Sequence, residues 1–105
     1  MYIRDVYCTV RFVWDPDKNT ANVAKRGIAL SEAARVFDGP TLERYDGRED
    51  YGEDRYIAVG LAEGRALVIV YTDVNEDNED TRRIISARRA TTGEARAYAK
   101  AYPPR

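Results

Sequence analysis

The longest apolar run in the chain is Ala66 to Thr72, Ala-Leu-Val-Ile-Val-Tyr-Thr. It is apolar at both parities, which predicts a central strand covered on both faces. Just before it, Glu63-Gly64 marks a tight hairpin turn, and Arg55 to Leu61 reads as the preceding strand. Val10 to Trp14 reads as an earlier strand, and Thr41 to Tyr45 as a short one. Between these two the pattern is helical. Asp15-Pro16 suits an N-cap followed by a first helical position, and Gly27 suits a left-handed stop after a helix that runs to about Lys25. Lys18, Asn22 and Lys25 form a polar stripe on it, read as a solvated face. Ser31 is a second candidate N-cap, and Ala33, Ala34, Val36 and Phe37 make the apolar face of a short helix ended by Asp38-Gly39-Pro40. Residues 46–54 form a polar, glycine-containing loop, and residues 73–80 an acidic one. Thr91-Thr92-Gly93-Glu94 fits a capping box, opening a final helix to about Tyr102 that Pro103-Pro104 stops. Residues 1–9 are an N-terminal extension with no clear pattern. The order of elements predicts one α+β domain over residues 1–105: a small antiparallel sheet with two N-terminal helices and a C-terminal helix.

One stretch breaks the tidy division between apolar and polar faces. Arg82-Arg83-Ile84-Ile85-Ser86-Ala87-Arg88-Arg89-Ala90-Thr91 reads as a strand. Simple alternation puts Ile84, Ser86 and Arg88 on one face and Arg83, Ile85, Ala87 and Arg89 on the other. Each face then mixes arginine with apolar or small side chains. Arginines fixed on a rigid strand make a cradle for phosphate oxygens. The alternative is a solvated edge strand whose charges discourage aggregation.

Charge sharpens this picture. The net charge is −1, which by itself argues against a nucleic-acid protein, but the signs are clustered. Arg82, Arg83, Arg88, Arg89, Arg96, Lys100 and Arg105 face only Glu94 in the C-terminal part, whereas residues 73–80 carry Asp73, Glu76, Asp77, Glu79 and Asp80 and no positive charge. The chain has no histidine and one cysteine, Cys8. That excludes a histidine general base, Ser-His-Asp and Cys-His nucleophile systems, a thiolate metal cluster and an intramolecular disulfide. No metal site or cofactor is expected. Without a signal peptide or a run long enough to span a membrane, a cytoplasmic location is expected.

Several segments resemble a known family. Phe12-Val13-Trp14-Asp15-Pro16-Asp17-Lys18, Asn22 and Lys25-Arg26-Gly27-Ile28 are similar to the opening of BrnT-type toxins, the ribonuclease halves of type II toxin–antitoxin pairs. Ser31-Glu32-Ala33-Ala34, Val36-Phe37-Asp38-Gly39-Pro40, Glu53-Asp54-Arg55-Tyr56-Ile57-Ala58-Val59-Gly60 and Ile84-Ile85-Ser86-Ala87-Arg88-Arg89-Ala90-Thr91 continue the likeness, with Glu94 and Tyr98 in the last helix. The chain departs from the family where Arg26 replaces a usual histidine, and residues 1–9 precede the usual start. The resemblance implies a RelE-like fold and RNA cleavage that halts translation. It also implies a small BrnA-like antitoxin, with operator DNA bound only through the toxin–antitoxin complex, and no membrane.

Metal-free RNA cleavage needs a base for the attacking 2′-hydroxyl, cations for the developing phosphorane charge and an acid for the leaving 5′-oxygen. Arg55, Arg83 and Arg88 are the candidate cations, and Glu53 is the nearest candidate base, with Tyr98 or Lys25 as alternatives. Lys18, Lys25, Arg26, Arg89 and Tyr98 are candidate RNA contacts, and Tyr56 or Tyr71 could stack on a base or belong to the core. Glu94 reads as a cap. The competing class is a non-catalytic module, or an inactive toxin homologue, whose arginine face recognises an acidic partner.

Overall fold

A hairpin at the centre of the chain sets the geometry of everything else. In the computed structural model, which describes residues 10–76 and 79–103, β3 (Tyr56–Ala62) turns back into β4 (Arg65–Glu76). Glu63 and Gly64 adopt φ of 52° and 78°, the left-handed pair that matches the twist of a two-residue hairpin. β4 then pairs antiparallel with β5 (Glu79–Arg89), and β2 (Leu42–Tyr45) pairs antiparallel with the outer side of β3. The fifth strand, β1 (Arg11–Val13), lies beside β5, giving the order β1-β5-β4-β3-β2.

The sheet is therefore mixed, which corrects the expectation of an antiparallel sheet. β1 joins β5 in parallel, with Arg11, Phe12 and Val13 opposite Thr81, Arg82 and Arg83. A parallel pair needs a long crossover. Here the helices and three strands between β1 and β5 provide it. The central place of the Ala66 to Thr72 run is as expected, and Val68 and Ile69 are both buried. Residues 73–76 and 79–80 of the acidic stretch are strand rather than loop: they are the far arms of β4 and β5, held partly by Arg82 on β5 pairing with Asp73 on β4. Residues 1–9, Asp77, Asn78, Pro104 and Arg105 lie outside the described residues.

Local signals place the helices. Helix α1 (Pro16–Arg26) begins at Asp15, whose side chain accepts from the Asp17 amide, and stops at Gly27 in the left-handed conformation. Helix α2 (Leu30–Ala33) runs into a single 3₁₀ stretch, Ala34–Asp38. Ser31 is not its cap. Ala29 occupies that position, and the Leu30 amide donates instead to Asn19 Oδ1 at 2.8 Å. Helix α3 (Thr92–Ala101) has both bonds of the Thr91–Glu94 capping box.

One face of the sheet carries the main core. Ile28, Leu30, Ala33, Val36 and Phe37 pack onto Ala58, Ala62, Leu67, Ile69, Tyr71, Ile84 and Ala87. At Gly60 an added Cβ would sit 2.9 Å from Val36 Cβ, so the 3₁₀ stretch can close on β3 only over a glycine. Asn22 is buried rather than solvated. Its Nδ2 donates to the Ile28 carbonyl at 2.7 Å and its Oδ1 accepts from the Ala87 amide. β1 covers β5 only at 81–83, so this side chain pairs an edge amide that the short strand leaves open.

Simple alternation fails on β5. Val70 faces Ser86, but Tyr71 faces Ile84, so Ile85 is an extra residue in a β-bulge. The bulge resets the parity. Ile84 and Ala87, three apart, both enter the core, while Arg83, Ser86 and Arg88 register with Thr72, Val70 and Val68 on the opposite, more open face. The expected grouping of Ile84 with Ser86 and Arg88 is thereby corrected.

Candidate active site

The open face holds two arginine–carboxylate groups. In the first, Glu53 lies between two cations. Arg83 on β5 donates from Nη2 to both carboxylate oxygens at 2.6 and 2.8 Å, and Arg55, just before β3, donates from Nε at 3.0 Å. The Glu53 loop is tied to the sheet, because Thr72 Oγ1 on β4 donates to the Asp54 carbonyl at 2.6 Å. The Arg55 guanidinium also lies 4.1 Å from the centre of the Tyr51 ring. Hydrogen bonds from Arg83 first and Arg55 second hold the Glu53 carboxyl below the usual carboxylate range. It is ionised at neutral pH. The three side chains are a fifth to two-fifths exposed, within reach of a ligand from solvent.

In the second group Arg88 forks onto Glu94, with both bonds at 2.8 Å. Glu94 also accepts from the Thr91 amide at 2.8 Å, so one carboxylate both caps α3 and aligns an arginine of the sheet. Arg88 first, with the Thr91 amide behind it, pulls the Glu94 carboxyl down to about 2, and Glu94 in turn raises Arg88.

The groups share a face but not a point. Arg83 and Arg88 stand opposite Thr72 and Val68 on β4, which four residues of strand separate by about 13 Å. Beside the second group is a pocket of about 160 Å³ lined by Arg26, Arg44, Arg48 and Arg88 over Ile57, Val68, Val70 and Ser86. Arg48 forks onto the buried Asp46 at 2.8 Å for both bonds, and this holds the Asp46 carboxyl down at about 2.

The structure thus brings Arg55, Arg83 and Glu53 together, sets Arg88 apart on the same face, and puts Arg26 at the rim of its pocket. Lys18 and Lys25 are exposed on α1. Arg89 is exposed, but it registers with Leu67 on the core side of the sheet. Tyr98 is 6% exposed and its hydroxyl donates to the Pro40 carbonyl at 2.8 Å. It fastens α3 to the chain before β2 and presents no free ring for stacking. Tyr71 is likewise buried, packed on Phe37 and Tyr56. Two arginines of the pocket, Arg44 and Arg48, stood out from no sequence pattern: one is on an edge strand and the other in a loop of mixed charge. Among the described residues, no three Cys, Asp or Glu side chains gather as metal ligands.

The fold is similar to that of the Brucella abortus ribonuclease toxin BrnT, solved by crystallography at 1.1 Å, with a TM-score of 0.59. The likeness covers 80% of this chain and 100% of that one at 23% identity. No curated protein gives a match. The sequence matches, over residues 14–94, the family described as ribonuclease toxin, BrnT, of type II toxin–antitoxin system. That span includes β2 to β5 and every residue of the two arginine groups, and no helix among the described residues is long and apolar enough to cross a membrane. The chain belongs to the BrnT family of ribonuclease toxins.

Proposed function

We propose that this toxin cleaves RNA without a metal, on the open face of its sheet, through Arg55, Arg83, Arg88 and Glu53. The observation that carries the reading is the convergence of Arg55 and Arg83, from distant parts of the chain, on one carboxylate at a surface open to solvent. Guanidinium donors that hold both oxygens of a carboxylate can also hold two phosphate oxygens. When the scissile phosphate takes these donors, Glu53 loses the bonds that keep its proton affinity low. It then accepts the proton of the 2′-hydroxyl as that oxygen attacks phosphorus. Charge develops on the phosphorane oxygens beside Arg55 and Arg83, and preorganised donors stabilise it there. The 2′-oxygen–phosphorus bond forms and the phosphorus–5′-oxygen bond breaks. The 5′-oxygen leaves with a proton from solvent, giving a 2′,3′-cyclic phosphate and a 5′-hydroxyl. Arg88 holds the same strand further along. Lys18, Lys25 and Arg26 meet flanking phosphates, Arg89 adds positive charge around the sheet, and Tyr98 supports the site from beneath α3.

On this reading the fold is a RelE-like one, the toxin acts in the cytoplasm, and its cleavage of RNA inhibits translation. The antitoxin is a small BrnA-like protein that covers the face bearing Arg83 and Arg88, or the sheet edge beside it. Acidic side chains there would meet the same forks that meet phosphate. The complex, not the toxin alone, binds operator DNA. The test is incubation of purified toxin with RNA in EDTA. Cleavage with cyclic-phosphate ends, abolished by the bound antitoxin, is expected. Loss of cleavage in EDTA would overturn the metal-free mechanism, and a complex that leaves the whole face open would overturn direct masking.

A further inference from the structure

Four arginines from four separate segments line one small pocket: Arg26 from the last turn of α1, Arg44 from β2, Arg48 from the loop after it and Arg88 from β5. Gathering like charges costs free energy unless anions offset them. Only two carboxylates do so among the described residues, Asp46 on Arg48 and Glu94 on Arg88. Arg26 and Arg44 hold no carboxylate among those residues. The positive charge of Arg48 also opposes that of Arg88, so the two cations are close enough to repel. The pocket thus keeps a local excess of two positive charges, and two of its four guanidinium groups are uncommitted.

Its size and floor narrow the ligand. At about 160 Å³ it is smaller than the usual range for drug-sized ligands and suits a phosphate group. The floor of Ile57, Val68 and Val70 offers an apolar surface to the attached sugar or base, and Ser86 offers a hydroxyl. We infer that this pocket is a phosphate subsite that grips the RNA strand at a nucleotide away from the scissile one, with Arg44 and Arg26 as its uncommitted donors. The inference rests on the ribonuclease reading and adds to it a second anchoring point, about 13 Å along β4 from the Arg83 position. Such an anchor fixes the register of the strand across the face, as phosphate contacts do.

The test uses a short 2′-O-methyl RNA, which lacks the attacking hydroxyl and binds without being cut. Affinity is measured against salt for wild type, Arg44→Ala, Arg26→Ala and a control, Arg35→Ala, an exposed arginine outside the pocket. Arg48→Ala is a poor probe, because it strips the buried Asp46 of its fork. Each pocket variant should bind about tenfold more weakly and lose about 0.7 from the slope of log K against log salt, the increment for one phosphate contact on a single strand. Arg35→Ala should change neither by a comparable amount. Replacing single linkages by neutral methylphosphonate should reveal one position that weakens wild type but not Arg44→Ala. Pocket variants that bind like the control overturn the inference, as does a wild type that does not bind the oligonucleotide. So does unchanged RNA binding with weakened antitoxin capture, which would make the pocket a protein site. If wild type binds but cleaves no RNA, the catalytic reading fails, and the slopes still decide the subsite.

Discussion

Arg82 and Arg83 are neighbours on one strand and do opposite jobs. Arg82 points to the core side, with its guanidinium 4.7 Å from the centre of the Phe37 ring and 4.2 Å from that of Tyr71. Both prongs of its fork bind Asp73, at 2.7 and 2.9 Å, and its side chain is 19% exposed. Arg83 points to the open face, where it meets Glu53 and keeps 37% of its side chain exposed. The first is enclosed by rings and committed to the fold. The second is held by a partly exposed carboxylate, which the proposed mechanism has a phosphate replace. On the proposed mechanism, what makes a guanidinium functional is not its charge, which both share, but the side of the sheet that it takes and how readily its partner can be exchanged.

This contrast can be broken by substitution. On the proposed mechanism, Arg83→Ala removes a donor for the developing phosphorane charge. RNA cleavage should fall about a hundredfold, equivalent to about 3 kcal/mol, with the melting temperature nearly unchanged. Arg83→Lys should recover only part of the rate, since an ammonium cannot make the fork. Arg82→Ala should do the reverse. Losing a desolvated cation from between two rings costs about 2 kcal/mol, read as a drop in melting temperature of roughly 10 °C. The folded fraction should keep its cleavage rate. A large loss of activity in folded Arg82→Ala would erase the distinction.

Glu94 serves both fold and face, capping α3 and holding Arg88. Thr91→Ala removes the hydroxyl half of the capping box and should cost about 1 kcal/mol in thermal unfolding. It leaves the Arg88 fork in place. Acid should act on the same face. The folded carboxyls of Glu94 and Asp46 sit at about 2, below their ordinary values of 4.5 and 3.8. A depressed pKa gives stability that is present above the unfolded value and lost as pH falls through the folded one. Melting temperature should therefore hold above pH 4.5 and fall between about 4.5 and about 2. Asp46→Asn, which cannot ionise, should flatten part of that fall.

What the sequence disclosed follows from the range of each signal. Asp15-Pro16 with Gly27, Glu63-Gly64 and Thr91 with Glu94 act within a turn or a helix, and all three are where the pattern puts them. The apolar run of β4 was legible because side chains of both parities are buried. The arginine strand was legible as a strand, but not in its facing, because the bulge at Ile85 depends on pairing with β4 and leaves no local mark. The parallel partner of β5 was hidden for the same reason: β1 lies some seventy residues earlier in the chain. Asn22 looked solvated because its partner, the Ala87 amide, is 65 residues away. Arg55, Arg83 and Glu53 could be proposed together because they occupy adjoining elements of one meander. The pocket of Arg26, Arg44, Arg48 and Arg88 could not, since its members meet only once the sheet is assembled.

The most direct test of the account is the single-turnover cleavage rate of one RNA in EDTA, measured for wild type, Arg82→Ala and Arg83→Ala below the melting temperature of each and scaled to folded protein. The account predicts cleavage by wild type and by Arg82→Ala at similar rates, and about a hundredfold slower cleavage by Arg83→Ala. Equal rates for Arg83→Ala and wild type, or no cleavage by wild type, would contradict it.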